Sequence, residues 1–321
     1  MKKQPQVIVS FLFIALVWAT WLLATQPDTW AIVSSNWQVT LTMIFGSFIA
    51  GATSEGGGAI AFPVFTKVLS IAPYDAKVFS LAIQSVGMLA ASLTIYMMRI
   101  QVLWRVIVWV SFGGVLGLYI GLLLAPAIPA SIIRMLFTLL AVSLAITLAS
   151  LDKSSKGYHL SMPELNGIER VILVSLGFVG GVISGLVGSG IDMLCFSVLV
   201  LLFRISETIA TPTSVILMAV HSIAGIAMQL FVFEGVSTQV ISYWLAAVPV
   251  VVIGAPMGAY FCSKLHFYQI RYVLIVLISL ELISSLWLLN FDKELMIFSV
   301  LVFTLFLSAM VWMRKNKLYV R

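Results

Sequence analysis

A glycine-broken hydrophobic segment occurs twice in this chain, and that repetition constrains the fold more than any other feature. The first copy reads Gly51-Ala-Thr-Ser-Glu-Gly-Gly-Gly58 and the second Gly185-Leu-Val-Gly-Ser-Gly-Ile-Asp192. An offset of 134 superposes them without a gap, placing Gly46, Ile49, Gly51, Gly56, Phe62, Val64, Ile71, Ala76 and Ser80 on identical residues from Gly180 to Ser214. Apolar segments interrupted at the same place in two halves of a chain point to a binding site built at the interruption.

The medium follows from composition. Hydrophobic residues make up 61% of the chain and charged residues 9%, with mean hydropathy +1.12. A soluble domain has no core large enough to hide that much apolar surface, so the chain reads as an all-α integral membrane protein. Apolar runs near 20 residues without alternation exclude a barrel. The formal charge of +6 sits mostly at segment ends, which is a topology signal and no nucleic-acid patch. No Gly-x-x-x-x-Gly-Lys-Ser/Thr loop is present, so neither a nucleotide motor nor an ATPase subunit is implied. Cys195 and Cys262 lie in apolar stretches without metal or redox spacing and read as packing residues. No cofactor, metal or catalytic residue is expected. The expected partners are a small anionic substrate and the lipid bilayer.

Apolar segments run at about 7–25, 39–70, 78–98, 106–125, 131–150, 170–203, 207–232, 240–261, 270–290 and 295–313. The first, after Met-Lys-Lys, reads as a retained helix rather than a signal peptide, because no small-x-small cleavage site follows it. The segments 39–70 and 170–203 are too long for one span and too short for two. Each is either a broken helix that crosses once or a re-entrant hairpin. Counting Lys and Arg, two re-entrant hairpins give a 14-to-4 split in favour of the cytoplasm, and single crossings give 12 to 6. The re-entrant reading is adopted: about eight transmembrane helices plus two re-entrant broken hairpins, as an inverted-topology repeat. Residues 1–38 form an N-terminal transmembrane helix, 39–150 repeat 1, 151–169 a cytoplasmic linker, 170–290 repeat 2, and 291–321 a last helix with a basic tail. Both termini are expected in the cytoplasm, and the host is the cell membrane. Gly113-x-x-x-Gly117 matches Gly254-x-x-x-Gly258, and both read as close helix packing. Arg134 and Arg271, at helix ends, read as interfacial anchors.

The glycines suggest the chemistry. After Gly58 and after Gly190 a half-helix begins, with unpaired N–H groups and a dipole that favour an anion. Inversion of one repeat brings the two starts together near the midplane, as an anion site needing no buried Arg or Lys. Candidate substrate-binding residues at the breaks are Ser54, Gly56, Gly57, Gly58, Gly188, Ser189 and Gly190. On the next helix of repeat 1, Lys77, Ser80, Gln84, Gly87 and Ala91 share a face; the matching face of repeat 2 is Thr211, Ser214, Met218, His221 and Gly225. From these faces Ser80, Gln84, Ser214 and His221 join the candidates, since hydroxyl, amide and imidazole groups can coordinate an oxyanion.

Glu55 and Asp192 are read as the intramembrane carboxylates. Asp192 reads as a helix cap. Glu55 reads as the proton-coupling residue: protonated, it removes repulsion from the anion, and ionised, it helps eject it. The reading is a secondary transporter of a small anion. An anion channel with the same site is the alternative, and an intramembrane hydrolase using Ser189 and His221 a minor one.

The two motifs resemble those of the TauE/SafE family of membrane permeases, on Gly51, Gly56, Gly57, Gly58 and Pro63 in the first half and Gly185, Gly188 and Gly190 in the second. The resemblance spans about residues 39 to 290. It implies transport of small sulfur-containing anions such as sulfite or organosulfonates. The chain departs from the family pattern at Ser54-Glu55, at Ile191-Asp192 and at Ser197, which stands where the first half has Pro63.

Overall fold

The computed structural model describes residues 4–54, 64–69, 71–151, 159–162, 166–233, 235–288 and 292–316. Its described residues are helical and form no strand, as backbone groups facing lipid require. In chain order the α-helices are α1 Gln4–Thr25, α2 Thr29–Ser35, α3 Trp37–Ala52, α4 Pro73–Met97, α5 Trp104–Leu124, α6 Ala130–Ala149, α7 Gly167–Val187, α8 Ile191–Ser197, α9 Glu207–Phe231, α10 Thr238–Cys262, α11 Phe267–Leu288 and α12 Lys293–Lys315. Eight of them are long and apolar enough to cross a membrane, and α1 meets α2 at a bend of 97°.

The repeat seen in the glycines extends to the helix ends. Adding 134 to both bounds of Pro73–Met97 gives Glu207–Phe231, and the same offset carries the π-helical turn Val64–Val68 onto Val198–Leu202. These two 25-residue helices run antiparallel: Gln229 Nε2 donates to Tyr74 Oη (2.7 Å) near one end, and the Leu103 N–H donates to Thr213 Oγ1 (3.1 Å) near the other. Equivalent helices pointing opposite ways is what an inverted repeat requires.

Each repeat lends its third helix to the other's first. Helix α5 lies along α7, and α10 lies along α3. Glycine makes both contacts possible. A Cβ on Gly113 or Gly117 would strike the carbonyl oxygen of Val174 or Phe178, and one on Gly258 would strike that of Phe48. Both Gly-x-x-x-Gly pairs therefore serve close helix packing, as expected, with Gly254 making room for the Ser47 side chain. Pro249 inside α10 cannot donate to the Leu245 carbonyl one turn earlier; the indole Nε1 of Trp21 on α1 donates to it instead, at 2.7 Å. A sequence-local defect thus fixes where the first helix docks.

The second broken segment returns to the face it left. The His159 N–H donates to the Arg204 carbonyl (2.7 Å) and the Ser206 N–H to the His159 carbonyl (3.1 Å), while Gln101 Nε2, before α5, donates to the Leu160 carbonyl (2.6 Å). Since α7 starts at that face parallel to α5, residues 167–202 form a re-entrant hairpin. Its arms are unequal, and only the one after the break is the half-helix expected from the sequence. The outgoing arm is 21 residues, about 31 Å at ~1.5 Å per residue. The returning arm is α8 and one π-helical turn. Nothing stops α7 earlier, because Gly177, Gly181 and Gly185 are buried against the α5 backbone; it ends only at Gly188, whose φ of +95° is left-handed.

The same face holds a buried ion pair. Arg271 on α11 donates from Nη2 (2.5 Å) and Nε (3.1 Å) to Glu207 Oε1 at the start of α9, and from Nη1 to the Leu151 carbonyl (3.3 Å). Arg271 is 6% exposed and Glu207 0%. The expected interfacial anchor is instead a tie between three helices, because Glu207 sits where the guanidinium would otherwise meet headgroups. Cys195 and Cys262 are buried free thiols.

Candidate anion site at the second helix break

The site is assembled by α4 and the Gly188–Gly190 break. Lys77, Ser80 and Gln84 follow one another at spacings of three and four residues, so the helix places them on one face. All three are buried. The break meets the 25-residue α4 at Lys77 and Ser80, about a third of the way along, and Gln84 reaches back to it from nearer the centre. The Gly188 carbonyl accepts from Gln84 Nε2 (3.3 Å) and Ser80 Oγ (3.4 Å), and Gln84 Nε2 also donates to Ser80 Oγ. A Cβ on Gly188 would lie 2.9 Å from Ser80 Cβ and 3.0 Å from the Lys77 carbonyl oxygen. Glycine is required there twice over, for its left-handed backbone and for this approach.

Lys77 is the feature that decides the electrostatics. It is 1% exposed, and its Nζ has no hydrogen-bond partner in the described structure. The ammonium lies 4.5 Å from the centroid of the Tyr74 ring. A cation that deep is normally matched by an anion, because isolated burial is costly. This corrects the expectation of a site without a buried cation. Lys77 begins the polar stripe visible in the sequence, but its place near a segment end made it look like a flanking charge.

The start of α8 is already occupied from within the chain. The Gly190 N–H donates to Asp192 Oδ1 (2.9 Å) and the Ile191 N–H to Ser184 Oγ (2.9 Å). Asp192 therefore closes the glycine turn from inside the first helical turn; the N-cap position belongs to Gly190. Two of the donors expected to meet an anion are engaged. Nearby, Ser189 Oγ and Asp192 Oδ2 are buried and without a hydrogen-bond partner.

The other candidates are placed differently. Ser214 turns its hydroxyl to the Thr211 carbonyl of its own helix (2.8 Å). His221 Nδ1 donates to the Leu217 carbonyl (2.8 Å), and its Nε2 rests against Gly114 on α5. Neither Ser189 Oγ nor His221 Nε2 has a hydrogen-bond partner, so the two are not joined as nucleophile and base. In the first copy, Ser54 is buried with an unpartnered Oγ, and Gly51 lines a small recess with Thr208, Thr211 and Pro212 of α9. Thr211 stands in repeat 2 where Lys77 stands in repeat 1. Glu55, Gly56, Gly57 and Gly58 lie outside the described residues. Among the described residues no cluster of His, Cys, Asp or Glu is arranged to hold a metal ion.

Both broken segments and the helices that follow them fall within one match: the model of the sulfite exporter family TauE/SafE covers residues 39–284. The chain belongs to the TauE/SafE family. No curated protein and no solved structure matches it. As a TauE/SafE member with eight long apolar helices, it is a multi-pass membrane transport protein. Beside Glu55 and Asp192, read from the sequence, another acidic residue of the apolar helices was passed over: Glu281 on α11, 6% exposed.

Proposed function

We propose that this protein is a secondary transporter that moves a small anion, a sulfur oxyanion or organosulfonate, across the cell membrane by alternating access. The observation that carries the reading is the buried Lys77 ammonium without a hydrogen-bond acceptor, one helical turn from Ser80 and two from Gln84. An anion seated against Lys77 accepts charge-assisted hydrogen bonds that water cannot supply at that depth. Ser80 and Gln84, which hold Gly188, set the shape of the wall beside it. The family supports sulfur compounds as the substrate class and export as the direction.

Coupling to protons through Glu55 is part of the same proposal. An organosulfonate stays ionised at physiological pH, so for that substrate class proton coupling needs a titrating group on the protein. Both termini are assigned to the cytoplasm because the face that carries Arg99, Arg204, Lys264, Arg271 and Arg314 is the more basic one.

The test is uptake in proteoliposomes with sulfite, methanesulfonate, sulfate and a carboxylate, under an imposed pH gradient. Accumulation of one sulfur anion above its own gradient is expected. Flux that never exceeds the anion's electrochemical gradient would make the protein a channel. Glu55→Gln is expected to bind anion with little pH dependence and to lose proton-driven accumulation.

A further inference from the structure

Helix α1 stands off the bundle over its first half. None of residues 9–20 is buried, and the helix is tied down further along, where Trp21 donates to the Leu245 carbonyl. The gap left against α10 is a groove of about 840 Å³, within the ~300–1,000 Å³ of small-ligand sites. Phe11 and Ile14 of α1 line one side and Met257 and Phe261 of α10 the other. Phe48 of α3 joins them, its ring centroid 5.7 Å from that of Phe261. Phe11 is 65% exposed, Met257 56% and Phe261 50%, so the lining is apolar and open to its surroundings. Water finds no partners along such a lining, and in a bilayer hydrocarbon chains fill it.

One end of the groove is charged. Lys264, two residues past the end of α10, lines it there, with its ammonium 5.1 Å from the centroid of the Tyr260 ring. Met97 and Met98, where α4 ends, line the same groove, and Arg99 follows them with a left-handed φ of 55°. Arg99 lines a neighbouring recess that shares Met97 with the groove. Tyr96 and Trp104 line that recess too, their rings edge to face at 6.3 Å, and aromatic residues of this kind mark the level of lipid headgroups. Among the described residues no carboxylate lines either space.

We propose that this groove binds one anionic phospholipid, its acyl chains lying between α1 and α10 and its phosphate meeting Lys264 and Arg99. Charge complementarity selects the occupant. A neutral hydrocarbon suits the lining and leaves both cations unmatched, and a soluble anion does the reverse. A zwitterionic headgroup brings a further cation to a place that already holds two. A second copy packed symmetrically on this face would set the same cations against each other. The bound lipid fills the space the protein leaves and ties α1 to the ends of α4 and α10.

Native mass spectrometry of the purified protein in detergent tests this without any transport assay. The probes are phosphatidylglycerol and phosphatidylcholine of the same acyl chains, supplied in equal amounts. One basic side chain near an anionic headgroup is worth a factor of about five, so phosphatidylglycerol should be retained roughly tenfold or more over phosphatidylcholine. Lys264→Gln should cut that preference about fivefold, and Lys264→Gln with Arg99→Gln should abolish it. Both cations are exposed, so these variants leave the packing of the bundle alone. Met257→Trp fills the groove and should lower retention of both lipids. Equal retention of the two lipids by the wild type, a preference that survives the double variant, or full retention in Met257→Trp would overturn the proposal. A dimer that forms as lipid is lost would also overturn it, by making the groove an interface between copies. So would a thermal shift matched by glycerol 3-phosphate alone, which has the phosphate and no chains.

Discussion

Gly188 and Ser80 approach so closely that a methyl group on the glycine would sit 2.9 Å from the serine Cβ, and the serine hydroxyl donates to the glycine's own carbonyl. The break in the second repeat is therefore held by the helix that follows it in the first. Loop and helix act as one wall.

Gly188→Ala is expected to destabilise the protein by ~1–3 kcal/mol, from a left-handed φ of +95° combined with the clash. Gly167→Ala is the control, since nothing lies within 4 Å of its added Cβ. Thermal unfolding in detergent should separate the two, and an equal midpoint for Gly188→Ala and wild type would refute the wall.

Lys77→Gln keeps length and polarity but removes the charge. Hydrogen bonds to charged groups contribute ~1.5–3 kcal/mol, so anion affinity should fall by roughly tenfold to a hundredfold. Lys77→Arg should retain part of it. Ligand-induced thermal shift with sulfite provides the measurement, and undiminished binding in Lys77→Gln would move the anion elsewhere.

Arg271→Ala strands a Glu207 that is 0% exposed, with an expected cost of ~3–5 kcal/mol. The double variant Arg271→Ala with Glu207→Gln should recover a large share of that loss. A double-mutant cycle on unfolding midpoints checks it; simple additivity would show the pair to be energetically silent.

Trp21→Phe leaves the Leu245 carbonyl without its indole donor, at ~1 kcal/mol. In a Pro249→Ala background the helix supplies its own donor, so the same substitution should cost less. Equal costs in the two backgrounds would separate the tryptophan from the proline.

Much of the frame was legible in the sequence because it rests on backbone demands. Glycine is needed wherever backbones touch or turn left-handed, and that need repeats at the offset of 134 that later fixes both bounds of α4 and α9. Side-chain pairing left weaker marks. Arg271 and Glu207 are 64 residues apart, and only tertiary contact makes them partners. Glu281 was passed over, since its partner Thr138 lies 143 residues away. The length of α7 was misjudged because glycines that normally weaken a helix are here buried against another backbone.

Thr211 standing where the other repeat has Lys77, in helices of equal bounds, bears on direction. Two identical inverted halves exchanging shapes would give inward-open and outward-open forms of equal energy, differing only in which half adopts which shape. A buried lysine on one half only is one of the differences that remove that degeneracy, and the one that carries a charge. Under the alternating-access proposal, the empty carrier would rest unequally between its two forms wherever hydration of the Lys77 cation differs between them. An anion seated beside Lys77, as proposed, would reduce that difference, so the cargo itself would even the two sides and ease its own crossing.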